Sequence, residues 1–243
     1  MNIIDAYWEK RNLGVSCKEL NCELNDNIAD VKKIVSSIDA DYTVIRVPSP
    51  KVDLLFYFQS IGFFVIETNI HLVKNLRDIE LPFRYQKYES RIVARKANTD
   101  EVNKIMGEIR NGVFDTDKIA LDPLFSLKQS ANRYENWVSE ELNKKSTAYI
   151  VANMDKDIGF FILRNDDDTN YNALFGALYK DTNATGFGFA VGYSAFKVAK
   201  KLSAKTIFTA VSSNNLAALR MNLSIGYEID NVHYVLIKHR LNE

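Results

Sequence analysis

The stretch Asn183-Ala184-Thr185-Gly186-Phe187-Gly188-Phe189-Ala190 decides the fold, because it joins a predicted strand to a predicted helix. The strand before it ends in Phe175-Gly176-Ala177-Leu178-Tyr179, and the helix after it has an apolar face at Phe189, Tyr193 and Phe196. Glycine permits positive φ, and the first amides of a helix have no partner within it. A pyrophosphate suits such a place, although Gly-x-Gly before a helix can also be a simple tight turn.

A second strand and helix follow this loop. Val211-Ser212-Ser213-Asn214-Asn215-Leu216-Ala217-Ala218 ends a strand and begins a helix, which stops at Gly226-Tyr227. Asn215 occupies the position where a helix N-cap is expected. Upstream, Asn98 and Glu101 have the spacing of a capping box, and two apolar runs, 148–152 and 158–163, predict a hairpin. This mixture of strands and helices predicts an α/β or α+β sheet.

The chain also carries an internal repeat. Ser60-Ile61-Gly62-Phe63 recurs 164 residues later as Ser224-Ile225-Gly226-Tyr227, and Leu72-Val73-Lys74 recurs as Leu236-Ile237-Lys238. The same shift superimposes the predicted strands 42–47 and 206–211. Gly186 and Gly188 fall opposite Cys22 and Leu24, so the first copy lacks the glycine loop. We expect two domains of related topology that meet near Leu81-Pro82-Phe83, and chance similarity between short units is the alternative.

The arrangement of strand, Gly-x-Gly loop, helix, strand, Asn-x-x-Ala helix and Gly-aromatic turn resembles the GCN5-related N-acetyltransferase family. Within that family it looks most like the dTDP-fucosamine acetyltransferase type. The resemblance implies an α/β (α+β) fold with a mixed sheet flanked by helices. Residues 86–243 would form the acetyltransferase domain, and residues 1–85 a smaller, degenerate domain of similar topology.

The resemblance implies acetyl-CoA as the acyl donor and assigns residues to it. Ala177, Leu178 and Tyr179 would pair their backbone with the pantetheine arm. Asn215 would contact that arm near its thiol end, and Ala218 and Met221 would line it. The phosphates would lie on the loop and helix start formed by Asn183, Ala184, Thr185, Gly186, Phe187, Gly188, Phe189 and Ala190. Asn183 stands where the family's loop carries Gln or Arg, so backbone amides are expected to do most of the anchoring.

Asn215 and Asn222 are the candidate catalytic residues. Many family members carry a tyrosine seven residues after the asparagine, where its hydroxyl can protonate the departing thiolate. That position is Asn222 here, and an amide cannot supply this proton. Tyr227 is expected to be a packing residue of the Gly-aromatic turn.

Aromatic and acidic residues between the first helix and the hairpin are candidates for the acceptor site. Aromatic faces beside carboxylates can stack on a sugar ring and hydrogen-bond its hydroxyls. We expect Phe114, Asp115, Phe125 and Tyr134 to bind the acceptor, and we expect Trp137 to pack in the core, since Tyr134 and Trp137 have helical spacing.

Composition limits the partners. Basic and acidic residues number 31 each, so no net charge points to nucleic acid or an anionic membrane. The chain start lacks a signal-peptide pattern and no apolar stretch is long enough to span a bilayer, so a cytoplasmic protein with a small-molecule amine acceptor is expected. The three histidines and the triplet 166–168 lack the spacing of a metal site, so no metal is expected. The first half would shape the acceptor site or form a homodimer interface.

Three functions remain open from the sequence. The first is acetyl transfer from acetyl-CoA to the primary amine of an amino sugar or sugar nucleotide. The second is the same chemistry on a protein lysine or N-terminus. The third is a non-catalytic CoA-binding module, which the asparagines at 183 and 222 keep open.

Overall fold

A computed structural model of the protein describes residues 1–182 and 186–240. The strands in this part of the chain are β1 (Asn2–Asp5), β2 (Cys17–Asn21), β3 (Tyr42–Pro48), β4 (Phe64–Asn75), β5 (Ile92–Lys96), β6 (Ser146–Asn153), β7 (Lys156–Asn165), β8 (Asn170–Leu178), β9 (Thr206–Ser212) and β10 (Glu228–His239). The helices are α1 (Trp8–Leu13), α2 (Ile28–Val35), α3 (Val52–Ser60), α4 (Phe83–Gln86), α5 (Thr99–Arg110), α6 (Lys118–Leu121), α7 (Leu127–Leu142), α8 (Gly188–Lys201) and α9 (Leu216–Ser224).

All of these strands join one mixed sheet with the order β1-β2-β3-β10-β4-β9-β8-β7-β6-β5. Neighbouring strands run antiparallel except at two places, where β2 lies parallel to β3 and β8 lies parallel to β9. The expected α/β fold with a mixed sheet flanked by helices is therefore confirmed.

The two halves of the chain exchange their last strands. Strand β10 lies between β3 and β4, and β4 in turn lies between β10 and β9. The pairing is symmetric: His239 pairs with Tyr42 at one place, and Asn75 pairs with Thr206 at the other. Helices α3 and α9 begin and end 164 residues apart, as do β4 and β10. The repeat predicted from the sequence therefore corresponds to a repeat of structure.

The sheet continues across the predicted domain boundary. Residues between β4 and β5 form the short helix α4 and a 3-10 turn at Glu89–Arg91, and the chain passes there from the middle of the sheet to its edge strand β5. A boundary near residue 85 stays a prediction. Because β10 belongs to the second half by sequence but is bonded on both sides to strands of the first, the two halves share the middle of one sheet.

Two helical layers cover the sheet. Neighbouring side chains on β6, Ile150 and Val151, belong to different core clusters, as alternation along a strand requires. Helices α5 and α7 pack on one face, where α7 also contacts α1 and α6. Helices α8 and α9 pack on the opposite face.

Local signals in the sequence determine where several helices begin. The predicted capping box is present at α5: Asn98 accepts from the Glu101 amide at 3.0 Å, and Glu101 accepts from the Asn98 amide at 2.9 Å. Ser126 and Gln129 form a second capping box at α7. The predicted hairpin is also present, and its turn uses positive φ at Met154.

Candidate active site

The sheet opens between β8 and β9. These parallel strands pair at Asn170 with Thr206, Tyr171 with Ile207 and Asn172 with Phe208, and the described pairing ends there. The Thr209 hydroxyl donates to the Ala173 carbonyl at 2.9 Å and closes the base of the opening. Beyond this point β8 remains paired with β7 on one side only.

The open edge of β8 exposes backbone groups at Gly176 and Leu178. The Tyr179 amide donates to the Ile158 carbonyl at 2.9 Å, and Ala177 pairs with Phe160 in the same register. Since N–H and C=O directions alternate along a strand, Ala177 and Tyr179 direct theirs toward β7, and Gly176 and Leu178 direct theirs into the opening. Of the three residues expected to pair with a pantetheine arm, Leu178 is the one that faces the opening.

The glycine loop leads into α8 beside this edge. Gly186 has φ +91°, the left-handed region that favours glycine. A β-carbon on Gly188 would lie 3.6 Å from Met221 Cγ, so this residue comes close to α9. The predicted phosphate contacts of Asn183, Ala184 and Thr185 lie outside the described residues.

Side chains at the start of α8 pack into the core. Phe189 stacks on Tyr85 with ring centroids 4.1 Å apart, Phe187 lies 5.2 Å from the ring of Tyr88, and Ala190 is fully buried. The Ala190 amide already donates to the Phe187 carbonyl at 2.8 Å, so Phe187 and Phe189 would offer a ligand their backbone amides and little else.

Helix α9 lines the opposite side of the opening. Asn215 caps this helix by accepting from the Ala218 amide at 3.0 Å. Its side-chain NH₂ can donate hydrogen bonds and has no acceptor among the described residues, and Asn215 lines the cavity. Ala218, Met221 and the buried Asn222 also line the cavity. A β-carbon at Gly192 of α8 would lie 2.5 Å from Ile225 Cδ1, so that glycine lets the two helices approach closely.

A cavity of about 500 Å³ passes through the opening and reaches both faces of the sheet. Gly192, Met221 and Asn222 line it on the α8 and α9 side, and Tyr134 and Trp137 line it on the α7 side. Tyr227 packs edge-on against Phe196, with centroids 4.8 Å apart, and also lines the cavity. Tyr227 therefore packs in the core, as expected.

An aromatic wall closes the α7 side of the cavity. The Phe114 and Tyr134 rings lie 5.1 Å apart, Tyr134 stacks on Trp137 at 6.2 Å, and Trp137 meets Phe175 edge-on at 4.7 Å. Phe114 and Tyr134 were expected to bind the acceptor, and both line the cavity. Trp137, expected in the core, is 39% exposed and lines the cavity too, because α7 turns this face toward the opening.

Two residues expected to bind the acceptor do not line the cavity. Asp115 is exposed and is not part of the cavity lining. Phe125 packs against Tyr42 and His239, with centroids 5.2 and 5.3 Å away, in a cluster beneath α1 and α6. A turn follows α6, where the Phe125 amide donates to the Asp122 carbonyl at 3.1 Å, and Phe125 and Phe114 pack in different core clusters.

The structure also brings charged residues to the cavity that the sequence did not single out. Glu67 on β4 is 7% exposed and lines the cavity, and its burial raises the pKa of its carboxyl group. Arg46, Lys118 and Arg133 line the same region. Glu67 is the one Asp, Glu, Lys or Arg between Phe64 and His71, and this was the one sequence signal that could have identified it.

Within residues 1–182 and 186–240, no group of three or more His, Cys, Asp or Glu is placed to hold a metal ion. No helix of this described part is long and apolar enough to cross a membrane.

Comparisons with known proteins place this geometry in a known fold. No protein-family model and no curated protein matches the sequence. A GCN5-related N-acetyltransferase from Sphaerobacter thermophilus matches with a TM-score of 0.58 at 11% identity, over 82% of this chain. One from Kribbella flavida matches with a TM-score of 0.56 at 12% identity, over 92% of this chain and 81% of that one. The chain has the fold of the GCN5-related N-acetyltransferases.

A third similar structure is a GCN5-related glucosamine N-acetyltransferase region in a fungal multi-domain β-N-acetylglucosaminidase. Its TM-score is 0.58 at 13% identity, over 81% of this chain and 25% of that one. The chain spans 59% of the Sphaerobacter protein. At these identities the comparisons establish the fold, and the site residues must be interpreted from their own chemistry.

Proposed function

We propose that this protein transfers an acetyl group from acetyl-CoA to a primary amine. The observation that carries the proposal is the opening between β8 and β9, where unpaired backbone groups, a helix start and a cavity through the sheet come together. A pantetheine arm is an extended chain with amide groups, so it can pair with an open strand edge as an added strand does. Gly176 and Leu178 are the residues that would receive it.

The residues present fit acetyl-CoA along its length. The amides of Gly186, Phe187 and Gly188 at the start of α8 suit the pyrophosphate, since helix amides and the helix dipole favour an anion there. We include the loop residues 183–185 in this proposal on the strength of the family resemblance. Ala218 and Met221 supply apolar contacts to the arm, and Asn215 lies near the place where the arm would cross the sheet.

Acetyl transfer in this cavity would depend mainly on positioning. Holding the thioester and the amine together can contribute several kcal/mol, about 7 to 11 in well-oriented systems. A backbone N–H of β8 would hydrogen-bond the thioester carbonyl as charge develops on its oxygen. Asn215 and Asn222 orient the reacting groups in this scheme, because neither amide can act as a general acid. The departing sulfur takes its proton from the amine.

An amino sugar or sugar nucleotide is the acceptor class that we propose. The wall of Phe114, Tyr134 and Trp137 provides faces on which a sugar ring can stack, and polar groups lie opposite it. One structural neighbour is itself a glucosamine N-acetyltransferase region. We omit Phe125 from the proposed acceptor site and retain Asp115 as a residue at its outer rim.

Binding of the donor is the first test. Acetyl-CoA should raise the melting temperature, because a ligand of the native state stabilises it by RT ln(1 + [L]/Kd). Coenzyme A should act similarly, and ATP, which shares the adenine nucleotide but lacks the pantetheine arm, should act far less. Absence of any shift at millimolar acetyl-CoA would exclude the acetyltransferase function.

Release of free thiol then identifies the acceptor. The assay compares glucosamine, a dTDP-linked 4-amino-4,6-dideoxyhexose and a peptide with a free N-terminus and a lysine. The proposal is supported if an amino sugar is acetylated and the peptide is not. Preference for the peptide would select the protein-modifying alternative, and binding of acetyl-CoA without turnover of any amine would select the non-catalytic module.

A further inference from the structure

Glu67 is a carboxylate that the N-terminal half contributes to the cavity. It lies on β4 opposite Val235 of β10, and Val235 lies opposite Arg46 of β3, so the side chains of this row share the sheet face covered by α6 and α7. Glu67 is 7% exposed, and its Oε2 has no hydrogen-bond partner among the described residues. A buried polar atom without a partner is costly, so a ligand that supplies a donor would be favoured.

The cations around Glu67 are each paired with another carboxylate. Lys118 lies 3.3 Å from Glu19, and Arg46 donates to the same Glu19 at 2.9 Å. Arg133 donates to Glu9 at 2.6 Å and to Asp117 at 3.2 Å. The groups near Glu67 are Asp117 and Lys118 at the start of α6, Arg133 and Tyr134 on α7, Arg46 on β3, His71 further along β4, and Ser212 on β9.

Because these cations are paired with other carboxylates, the negative charge of Glu67 is left for a ligand to compensate. Burial lowers the pKa of His71, so this histidine is neutral near pH 7 and does not compensate Glu67. Asp230, another carboxylate in the cavity lining, is exposed at the rim. An amine that arrives as an ammonium ion therefore meets a buried carboxylate beside an aromatic wall, and both features favour a cation.

We propose that Glu67 receives the acceptor: it binds the ammonium group and takes one proton from it, which leaves a neutral amine to attack the acetyl thioester. The inference rests on the proposed acetyl transfer and deepens it, since it gives the N-terminal half a catalytic residue in the site of the other half. The position that corresponds to Glu67 in the repeat is Asn231, so the chain carries this carboxylate once, beside the half that has the glycine loop.

Each proton and electron pair in this step can be followed from reactants to products. One N–H bond of the ammonium breaks and its proton moves to the Glu67 carboxylate. The freed nitrogen lone pair forms the C–N bond while the C–S bond breaks, and a second proton passes from nitrogen to the departing sulfur. Glu67 then releases its proton to solvent, so that ammonium and thioester become amide, thiol and one proton. Because burial raises the pKa of Glu67 toward that of an amine, the first transfer becomes easier.

Glu67→Gln tests the inference with the amine that turns over fastest in the thiol-release assay. The change keeps the shape of the side chain and removes its ability to accept a proton, so kcat/KM near pH 7 should fall by about 10²- to 10⁴-fold. Glu228→Gln is the matched control, since Glu228 is an exposed carboxylate at the start of β10 and should leave the rate as it is. Glu67→Asp should recover part of the rate.

The pH profile separates proton transfer from a structural role. Before the proton transfer Glu67 is a carboxylate and the acceptor an ammonium ion; after it Glu67 is a carboxylic acid and the acceptor a neutral amine. Both states hold the same number of protons, so kcat/KM of the wild type should not change with pH between the pKa of Glu67 and the pKa of the amine. In Glu67→Gln only the neutral amine reacts, and kcat/KM should rise tenfold per pH unit up to the pKa of the amine, which is about 8 for an α-amino group.

The outcomes distinguish this inference from the proposed function. Loss of rate in Glu67→Gln with an unchanged acetyl-CoA melting shift and the altered pH profile supports the inference. A wild-type rate and profile in Glu67→Gln would overturn it while acetyl transfer stands. Failure of the wild type to bind acetyl-CoA or release thiol would overturn both, and this result would appear before any variant is made.

Discussion

Arg133 Nε donates a hydrogen bond of 2.6 Å to Glu9 Oε1 and thereby joins the helix above the cavity to the N-terminal half. Both side chains are largely buried, at 10% and 1% exposed. Asn136 reinforces the contact by donating to Asn12 at 2.8 Å. Helix α1 therefore holds α7 in place, and α7 carries Tyr134 and Trp137 of the aromatic wall.

Glu9→Ala should lower the free energy of unfolding by about 3 to 5 kcal/mol, because it leaves the buried Arg133 with Asp117 as its remaining carboxylate partner. Urea denaturation measures this loss. Arg11→Ala is the control: its ion pair with Glu140 is exposed and should contribute about 1 kcal/mol or less. Equal costs for the two substitutions would show that the buried pair does not hold α7.

Gly186→Ala should weaken acetyl-CoA binding. Gly186 has φ +91°, and an alanine there strains the loop that leads into α8 by about 1 kcal/mol. Gly14→Ala provides the matched control, since Gly14 has φ +82° and equal space around it but ends α1, away from the opening. Both variants should lose similar stability, and the acetyl-CoA melting shift should shrink for Gly186→Ala alone. Equal acetyl-CoA melting shifts in the two variants would show that the glycine loop does not bind the donor.

Glu67→Gln should also stabilise the protein, in a way that depends on pH. Because burial raises the pKa of Glu67, the folded state binds this proton more tightly than the unfolded state, and the penalty of the buried charge grows as pH rises through the folded pKa. The free energy of unfolding of Glu67→Gln should thus exceed that of the wild type by on the order of 1 kcal/mol near pH 7. The difference should shrink toward pH 5. A gap that widens on acidification, measured by urea denaturation, would contradict this.

A fragment that begins at Ser90 should not fold alone. It lacks β3 and β4, which are the two neighbours of β10, and it exposes the edge of β9 that pairs with β4. Circular dichroism and size-exclusion chromatography should show an unfolded or aggregated chain. Removal of residues 1–5 is the control, because β1 is an edge strand that pairs with β2 alone. A monomeric fragment from Ser90 with cooperative unfolding would show that the halves are independent.

Much of the fold could be predicted from local signals. The capping box at Asn98, the hairpin and the helix after the glycine loop depend on residues within a few positions of one another, and each is present. The repeat of 164 residues also predicted matched helices and strands. It did not predict that the last strands are exchanged, because β10 pairs with β3 and β4 across more than 150 positions of sequence, and a local pattern does not specify such partners.

The cavity lining on the α9 side was more predictable than the lining on the α7 side. Asn215, Ala218, Met221 and Asn222 lie on one helix whose start is marked in the sequence, and the cavity contains all four. Backbone directions at β8 could not be predicted, because the bulge at Leu174 between β7 and β8 sets which groups face the opening. Phe125 was placed with Phe114 by proximity in sequence, and the two residues pack in different core clusters.

The sequence by itself determined the order of elements, the helix starts and the half that carries the glycine loop, because these depend on backbone freedom, caps and alternation over short distances. Only the tertiary structure decided that Glu67 enters the cavity and that α1 supports α7. Those contacts join residues more than 50 and 120 positions apart, respectively. They exist because β10 inserts between β3 and β4 and closes both halves into one sheet.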